Sequence, residues 1–179
     1  MKQFYSALCK SFCIILLSWV CVLHAVEEAK PLGFILGKTT LEEFKAKYPK
    51  NEEIGFGVNT KGPAYRVFAK LLPLDHVEDA QFFFNYKNKL VLVLLEFESW
   101  RFDRLKSTLS ERYQLIKEEG MNVPILGNVG QQLAEYRQGN VKISLSLENN
   151  RSMCELKYSM IKDPDHQRNL TSEEQKKLL

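Results

Sequence analysis

Thiol chemistry needs a thiolate with an imidazole in reach, and past residue 25 the chain offers only Cys154, His76 and His166 for the purpose. Cys154 shares its parity with Leu156, Tyr158 and Met160. In a strand it therefore points inward, where a thiol is a small hydrophobe with a raised pKa. Two acidic clusters carry a histidine: Asp75-His76 with Glu78 and Asp79, and Asp163-Pro164-Asp165-His166. Neither has zinc-finger or EF-hand spacing, and both fall in expected loops, where charge serves solvation. No metal or other cofactor is expected. Serine-hydrolase, Walker and dinucleotide motifs are absent from the sequence. A hydrolase built on the Asp75 to Asp79 cluster stands as the catalytic alternative to a protein that only binds.

The candidates for binding are aromatic and basic. Trp100, Phe102, Phe56 and Tyr65 form either an exposed aromatic patch or part of the core; large unsheltered apolar patches are uncommon on soluble monomers. The expected binding face joins Tyr65, Arg66, Phe68 and Lys70 of one strand with Trp100.

Those residues are positioned by elements legible in the hydrophobic pattern. Lys89 to Glu98 is the most continuously apolar stretch beyond residue 25 and should be a central strand, with Glu96 and Glu98 marking where one face reaches water. Gln81 to Tyr86 precedes it as a hairpin partner, turning at Lys87-Asn88-Lys89, where Asn88 tolerates a left-handed conformation. Leu32 to Leu36 is a short strand or arm. Thr40 with Glu43 fits a capping box opening a helix from Leu41 to Tyr48. Ile54, Phe56 and Val58 alternate in a strand, and Tyr65 to Leu71 forms another, after which Leu74 to Asp79 is a loop. Ser99 is placed to cap a second helix whose stripe is Phe102, Leu105, Leu109, Tyr113 and Ile116. Glu118 to Gly130 is a glycine-rich connection with one short strand at Val123 to Leu126. Gln131 to Gln138 is a strand without a clear inner face. Val141 to Leu147 and Cys154 to Met160 alternate without a break, the pattern of antiparallel strands with one solvated face.

The first 25 residues belong to no fold. Lys2 and Lys10 precede an apolar run from Phe12 to Leu23, and Ala25 ends it. This is the pattern of a cleaved secretory signal, too short to span a bilayer. Cys21, after Trp19 and Val20, is a poor lipidation site. Removing residues 1–25 removes two of 25 basic residues and none of 22 acidic ones, leaving +1 on 154 residues. So balanced a charge gives no long-range attraction for nucleic acid or anionic membrane. Cys154 alone remains, and an intramolecular disulfide is impossible. The triplets Asn150-Arg151-Ser152 and Asn169-Leu170-Thr171 are glycosylation sequons that matter only in a eukaryotic secretory pathway.

The expected fold is α+β: an antiparallel β-sheet with two amphipathic helices on one face. It forms a single domain over 26–162, either two tandem α-β units with halves 32–98 and 99–162 or an undivided domain that uses two helices, and a polar tail from 163 to 179. Leu36-Gly37-Lys38-Thr39-Thr40-Leu41-Glu42-Glu43-Phe44 resembles the Gly-x-Thr helix start of small bacterial envelope proteins of the BamE type. The tandem order is similar to the β-lactamase-inhibitor-protein-like architecture. The resemblance implies a binding or scaffolding protein of a bacterial envelope. With the leader, the expectation is an exported, periplasmic or extracellular, non-catalytic protein that uses the open face of its sheet, opposite the helices, to bind a ligand or a protein partner in the cell envelope. It departs from the BamE pattern in lacking a convincing lipidation cysteine. An envelope structural component without a dedicated site is the remaining alternative.

Overall fold

A computed structural model of the chain describes residues 28–123, 127–148 and 151–163. The leader at 1–25 and all of the tail but Asp163 lie outside the described residues. The protein is mostly sheet: eight antiparallel strands in the order β1-β2-β3-β4-β8-β7-β6-β5, with two helices, an α+β fold. The strands are β1 (Glu52–Gly57), β2 (Gly62–Phe68), β3 (Val77–Phe84), β4 (Leu90–Glu98), β5 (Gln114–Val123), β6 (Gly127–Gln138), β7 (Val141–Leu147) and β8 (Met153–Met160). The helices are α1 (Leu41–Lys47) and α2 (Phe102–Arg112).

The register explains the core. Tyr65, Phe82, Val93, Tyr158, Ile143 and Tyr136 are successive cross-strand partners through six neighbouring strands, and all are buried. Directly opposed residues project to one side of a sheet, so this row is a single apolar band. Beside it run Val67, Ala80, Leu95, Leu156, Leu145 and Ala134, again in register and buried.

Helix α1 is only seven residues long, too short to persist on its own propensity. Two devices hold it. The Thr40 hydroxyl accepts from the Glu43 N–H at 3.2 Å while the Glu43 carboxylate accepts from the Thr40 N–H at 2.7 Å, the expected capping box. Phe44, with no exposed surface, has the rings of Phe34, Tyr48, Tyr65, Phe82 and Phe84 within 6.0 Å of its own. Helix α2 contacts β6 and β7. The Tyr136 hydroxyl donates to the Lys106 carbonyl at 3.1 Å, and the Ser110 hydroxyl lies 3.1 Å from it.

The hairpin of β3 and β4 turns with Asn88 in the left-handed region at φ 56°, as its type allows. Buried Asn85 braces it, its side-chain oxygen accepting from the Lys87 and Lys89 N–H groups at 3.0 Å.

The structure departs from the sequence expectation where a strand lies at an edge or carries no alternation. Glu118 to Gly130 is not a connection: β5 runs to Val123 and β6 begins at Gly127. Residues 114–120 are exposed throughout, so no inward parity was there to be seen. Gly120 at φ 99° takes up a register shift between Glu119 and Met121, and a Cβ there would meet the Gln131 carbonyl at 2.6 Å. Ile116 belongs to β5, 55% exposed, because the helix has already ended at Tyr113, which is extended. Ser99 caps nothing. It opens a 3-10 turn, Ser99–Arg101, that leads into α2 without a side-chain cap. Ile54 and Phe56 are exposed on edge strand β1. Val77 and the residues after it, expected as loop, begin β3, and Ala69 to Leu71 form a 3-10 turn beyond β2. Leu32 to Leu36 is an arm that opens with a 3-10 turn, Pro31–Gly33, and buries Phe34 and Leu36.

Replacing Phe44 with Ala should therefore cost about 3–5 kcal/mol, against about 1 kcal/mol for Thr40→Ala at the cap. Urea unfolding of the two variants beside the parent checks the order; equal losses would mean that the cap, not the ring cluster, seats α1.

Candidate functional site

The expected binding face is divided by the sheet. Tyr65 lies under Phe44 and is buried, its hydroxyl donating to Glu53 at 3.2 Å. In β2 successive side chains alternate between faces, which sends Arg66 and Phe68 to the opposite side. Phe68 is 44% exposed and Trp100 60%. The Trp100 indole N–H donates to Glu98 at 2.7 Å, at the same end of that side as Phe68. Lys70 is exposed in the 3-10 turn after β2. Phe102, the fourth member of the aromatic group, is buried, whereas Phe56 is 68% exposed.

That side is also where Asp79, Glu96 and Glu155 sit directly opposite one another on β3, β4 and β8. Like charges in opposed positions destabilise a sheet. Partial burial, then Asp79 and Glu155, raise the Glu96 carboxyl above its usual range, while Arg66 and Arg151 pull the other way. Arg66 Nε approaches Asp79 Oδ2 at 3.0 Å, a charge contact whose alignment falls short of a hydrogen bond.

The Asp75 to Asp79 cluster does not converge. Asp79 engages Arg66, and His76 Nδ1 lies 3.7 Å from Glu98 Oε2 with its ring on Trp100. Among the described residues no group of three or more His, Cys, Asp or Glu is arranged to hold a metal ion. The second cluster lies outside the described residues beyond Asp163, which accepts from the buried Asn85 amide. Cys154 is buried, as its parity required, its thiol 3.7 Å from the Glu98 carbonyl, and burial pushes its pKa up to about 11.

No sequence motif marks a groove of about 570 Å³ among the described residues, within the roughly 300–1,000 Å³ of small-molecule sites. Its floor is Leu95 and Phe97 of β4 with Leu156 and Tyr158 of β8. Leu105, Thr108 and Leu109 of α2 make one wall; the arm at Pro31, Leu32 and Gly33 makes another. Leu32 holds φ 53°, a left-handed conformation costly for a branched side chain. The Lys47 ammonium donates to its carbonyl at 2.6 Å and fixes the turn. Lys30, Arg101 and Arg112 line the groove against a single carboxylate, Asp75. Among the described residues none of the three cations forms an ion pair, and Arg101 Nε is buried without a hydrogen-bond partner. Five separated segments supply this lining, which is why no local motif announces it.

Two outcomes follow. Cys154 should resist a thiol reagent at pH 8 in the folded protein and react once denaturant is added, measured by the absorbance of the released thiolate; native reactivity would contradict its burial. Glu96, whose folded carboxyl is raised, favours the folded state when protonated, so its contribution falls as pH rises from 4.5 through the folded value. Glu96→Gln should then be more stable than the parent at neutral pH, with the difference closing below pH 4.5, read from unfolding curves across pH.

Searches against protein-family models, curated proteins and solved structures find no match to this chain.

Proposed function

We propose that this chain is an exported, non-catalytic binding protein whose ligand is a small, largely apolar molecule held in the groove between the arm and α2. The observation that carries the reading is the groove itself: an aliphatic and aromatic floor, walls from two elements, and four charged side chains, Lys30, Asp75, Arg101 and Arg112, in its lining. Such a lining supplies shape, apolar area and orientation, which is what holding a ligand requires.

The architecture behind it is two tandem α-β units with both helices on one side of the sheet. In its support, Phe44 of α1 rests on Phe82, while Tyr136 bonds to α2, and Phe82 and Tyr136 belong to the same cross-strand row. The sequence α1-β1-β2-β3-β4 is followed by α2-β5-β6-β7-β8, and the two meanders meet at their last strands. Export rests on the basic start, apolar run and Ala25 of the leader. No helix among the described residues is long and apolar enough to cross a membrane. The likeness of residues 36–44 to the BamE-type helix start places the protein, on this reading, in a bacterial envelope.

A second reading keeps the other side of the sheet as a docking surface for an envelope protein, on the strength of Phe68 and Trp100, both large and exposed. Charge reversal at Arg66 or Lys70 would abolish capture of such a partner and leave groove binding intact.

The groove reading is tested with N-phenyl-1-naphthylamine, an uncharged probe whose fluorescence rises in apolar surroundings. The folded protein should bind it saturably. Thr108→Trp, at an exposed helix position on the groove wall, should fill the site and weaken binding about tenfold or more, on the order of 1.4 kcal/mol, with unfolding unchanged. No saturable signal, or an unaffected Thr108→Trp, would refute it.

A further inference from the structure

The groove is not symmetric along its length. Phe97 and Cys154 are paired at one end of the β4 and β8 floor, near Arg101 and the loop that contributes Asp75. At the other end Tyr158 lies beside Tyr113 and Arg112. Arg101 and Arg112 stand 11 residues apart, roughly 16 Å along a helix. The Arg101 end has a carboxylate in its lining. The Arg112 end has none, and Lys30 and Arg112 also border the depression that adjoins it, with Glu28, Tyr113 and Gln138. Glu28 is engaged elsewhere, 2.7 Å from Lys38. Burial keeps the Tyr158 phenol protonated, and Tyr113 shares a hydrogen bond with it. Two cations and two phenols thus meet at one end of an apolar trough, which is the complement of an anion carrying a hydrocarbon tail.

We propose that Lys30 and Arg112, with the Tyr113 hydroxyl that accepts from Tyr158, seat the acidic head of a single-chain amphiphile whose tail lies along Leu95, Leu156, Leu105 and Leu109. The proposal rests on the groove reading above. A carboxylate and a phosphate monoester share the required chemistry: oxygen acceptors, negative charge and one attached chain. Arg112, at the last turn of α2, presents a planar fork to either, in a place where the helix dipole already favours a cation.

The test compares dodecanoate, dodecyl phosphate, dodecanol and dodecyltrimethylammonium, each below its micelle concentration, by displacement of the neutral naphthylamine probe from the mature chain. The acids should bind roughly 10- to 100-fold more tightly than the alcohol, the range a charge-assisted hydrogen bond gives, and the cation more weakly than the alcohol. A preference between the two acids tells a fatty-acid head from a phosphate head. Arg112→Gln with Lys30→Gln should bring the acids to the level of the alcohol while the probe binds as before; both positions are exposed and leave the core intact. Arg112→Lys should recover part of the preference, and Arg104→Gln, an exposed cation outside the groove lining, should change nothing. Equal binding of acid and alcohol with the probe still bound overturns the headgroup assignment alone. Loss of the preference in Arg104→Gln also overturns it, since charge in general would then be responsible. Failure of the probe itself to bind defeats the groove reading on which the assignment stands.

Discussion

The sheet is one body because β4 pairs with β8 through seven residue pairs, from Leu92 with Ser159 to Glu98 with Met153. Among the described residues no other strand pairing joins β1–β4 to β5–β8. The pairing is long-range and slow to form, since loop closure must precede the contacts that reward it. It is also unforgiving. A slip of one residue would turn Val93, Leu95 and Phe97 to the charged side and bring Leu94 and Glu96 inward. The inward set of β8, Cys154, Leu156 and Tyr158, is fixed by the same register. Sheet continuity, the apolar band and the groove floor are thus consequences of one strand pairing.

What lies above the seam is decided by widths. Eight strands spaced about 4.8 Å apart make a face about 34 Å across, and a helix with its side chains is about 10–12 Å wide. In the proposed arrangement, with both helices on one face, they leave roughly 10 Å of it without helical cover. Helix α1 is engaged with the rings of β2 and β3, and α2 with β6 and β7. Between those two pairs of strands lie β4 and β8, which carry the groove floor. The arm before α1 buries Phe34 and Leu36. In the proposed arrangement the groove is the part of the face that helices and arm leave over, and its position needs no special motif.

This separates what the sequence reveals from what it conceals. Thr40 with Glu43, the Leu90 to Glu98 strand, the alternation of Val141 to Leu147 and the inward Cys154 all stand in the structure because each is a local pattern with a single physical solution. β5 is concealed because an edge strand exposed along 114–120 has no parity to display, and its one glycine, Gly120, resembles that of a loop. Gln132, Ala134 and Tyr136 form the inner face of β6, but Leu133 beside them and a buried glutamine in their place of honour blur the alternation. Tyr65 was grouped with Arg66 and Phe68 by proximity in sequence, whereas the pleat puts it on the other side. The groove, assembled from five segments, has no sequence signature at all.

Charge sets the groove apart from the rest of the surface. Away from the groove the charges answer one another: Arg66 with Asp79 at 3.0 Å, Lys142 with Glu135 at 2.6 Å, Lys106 with Glu118 at 2.7 Å. Such exposed pairs contribute little each, but they neutralise the surface locally. Lys30 and Arg112 have no such answer among the described residues, and they line the groove. Beside low-dielectric walls a cation's field is screened less than on an open surface. A chain whose total charge is close to balanced therefore keeps two cations without an ion-pair partner among the described residues, Lys30 and Arg112, in the lining of an apolar groove.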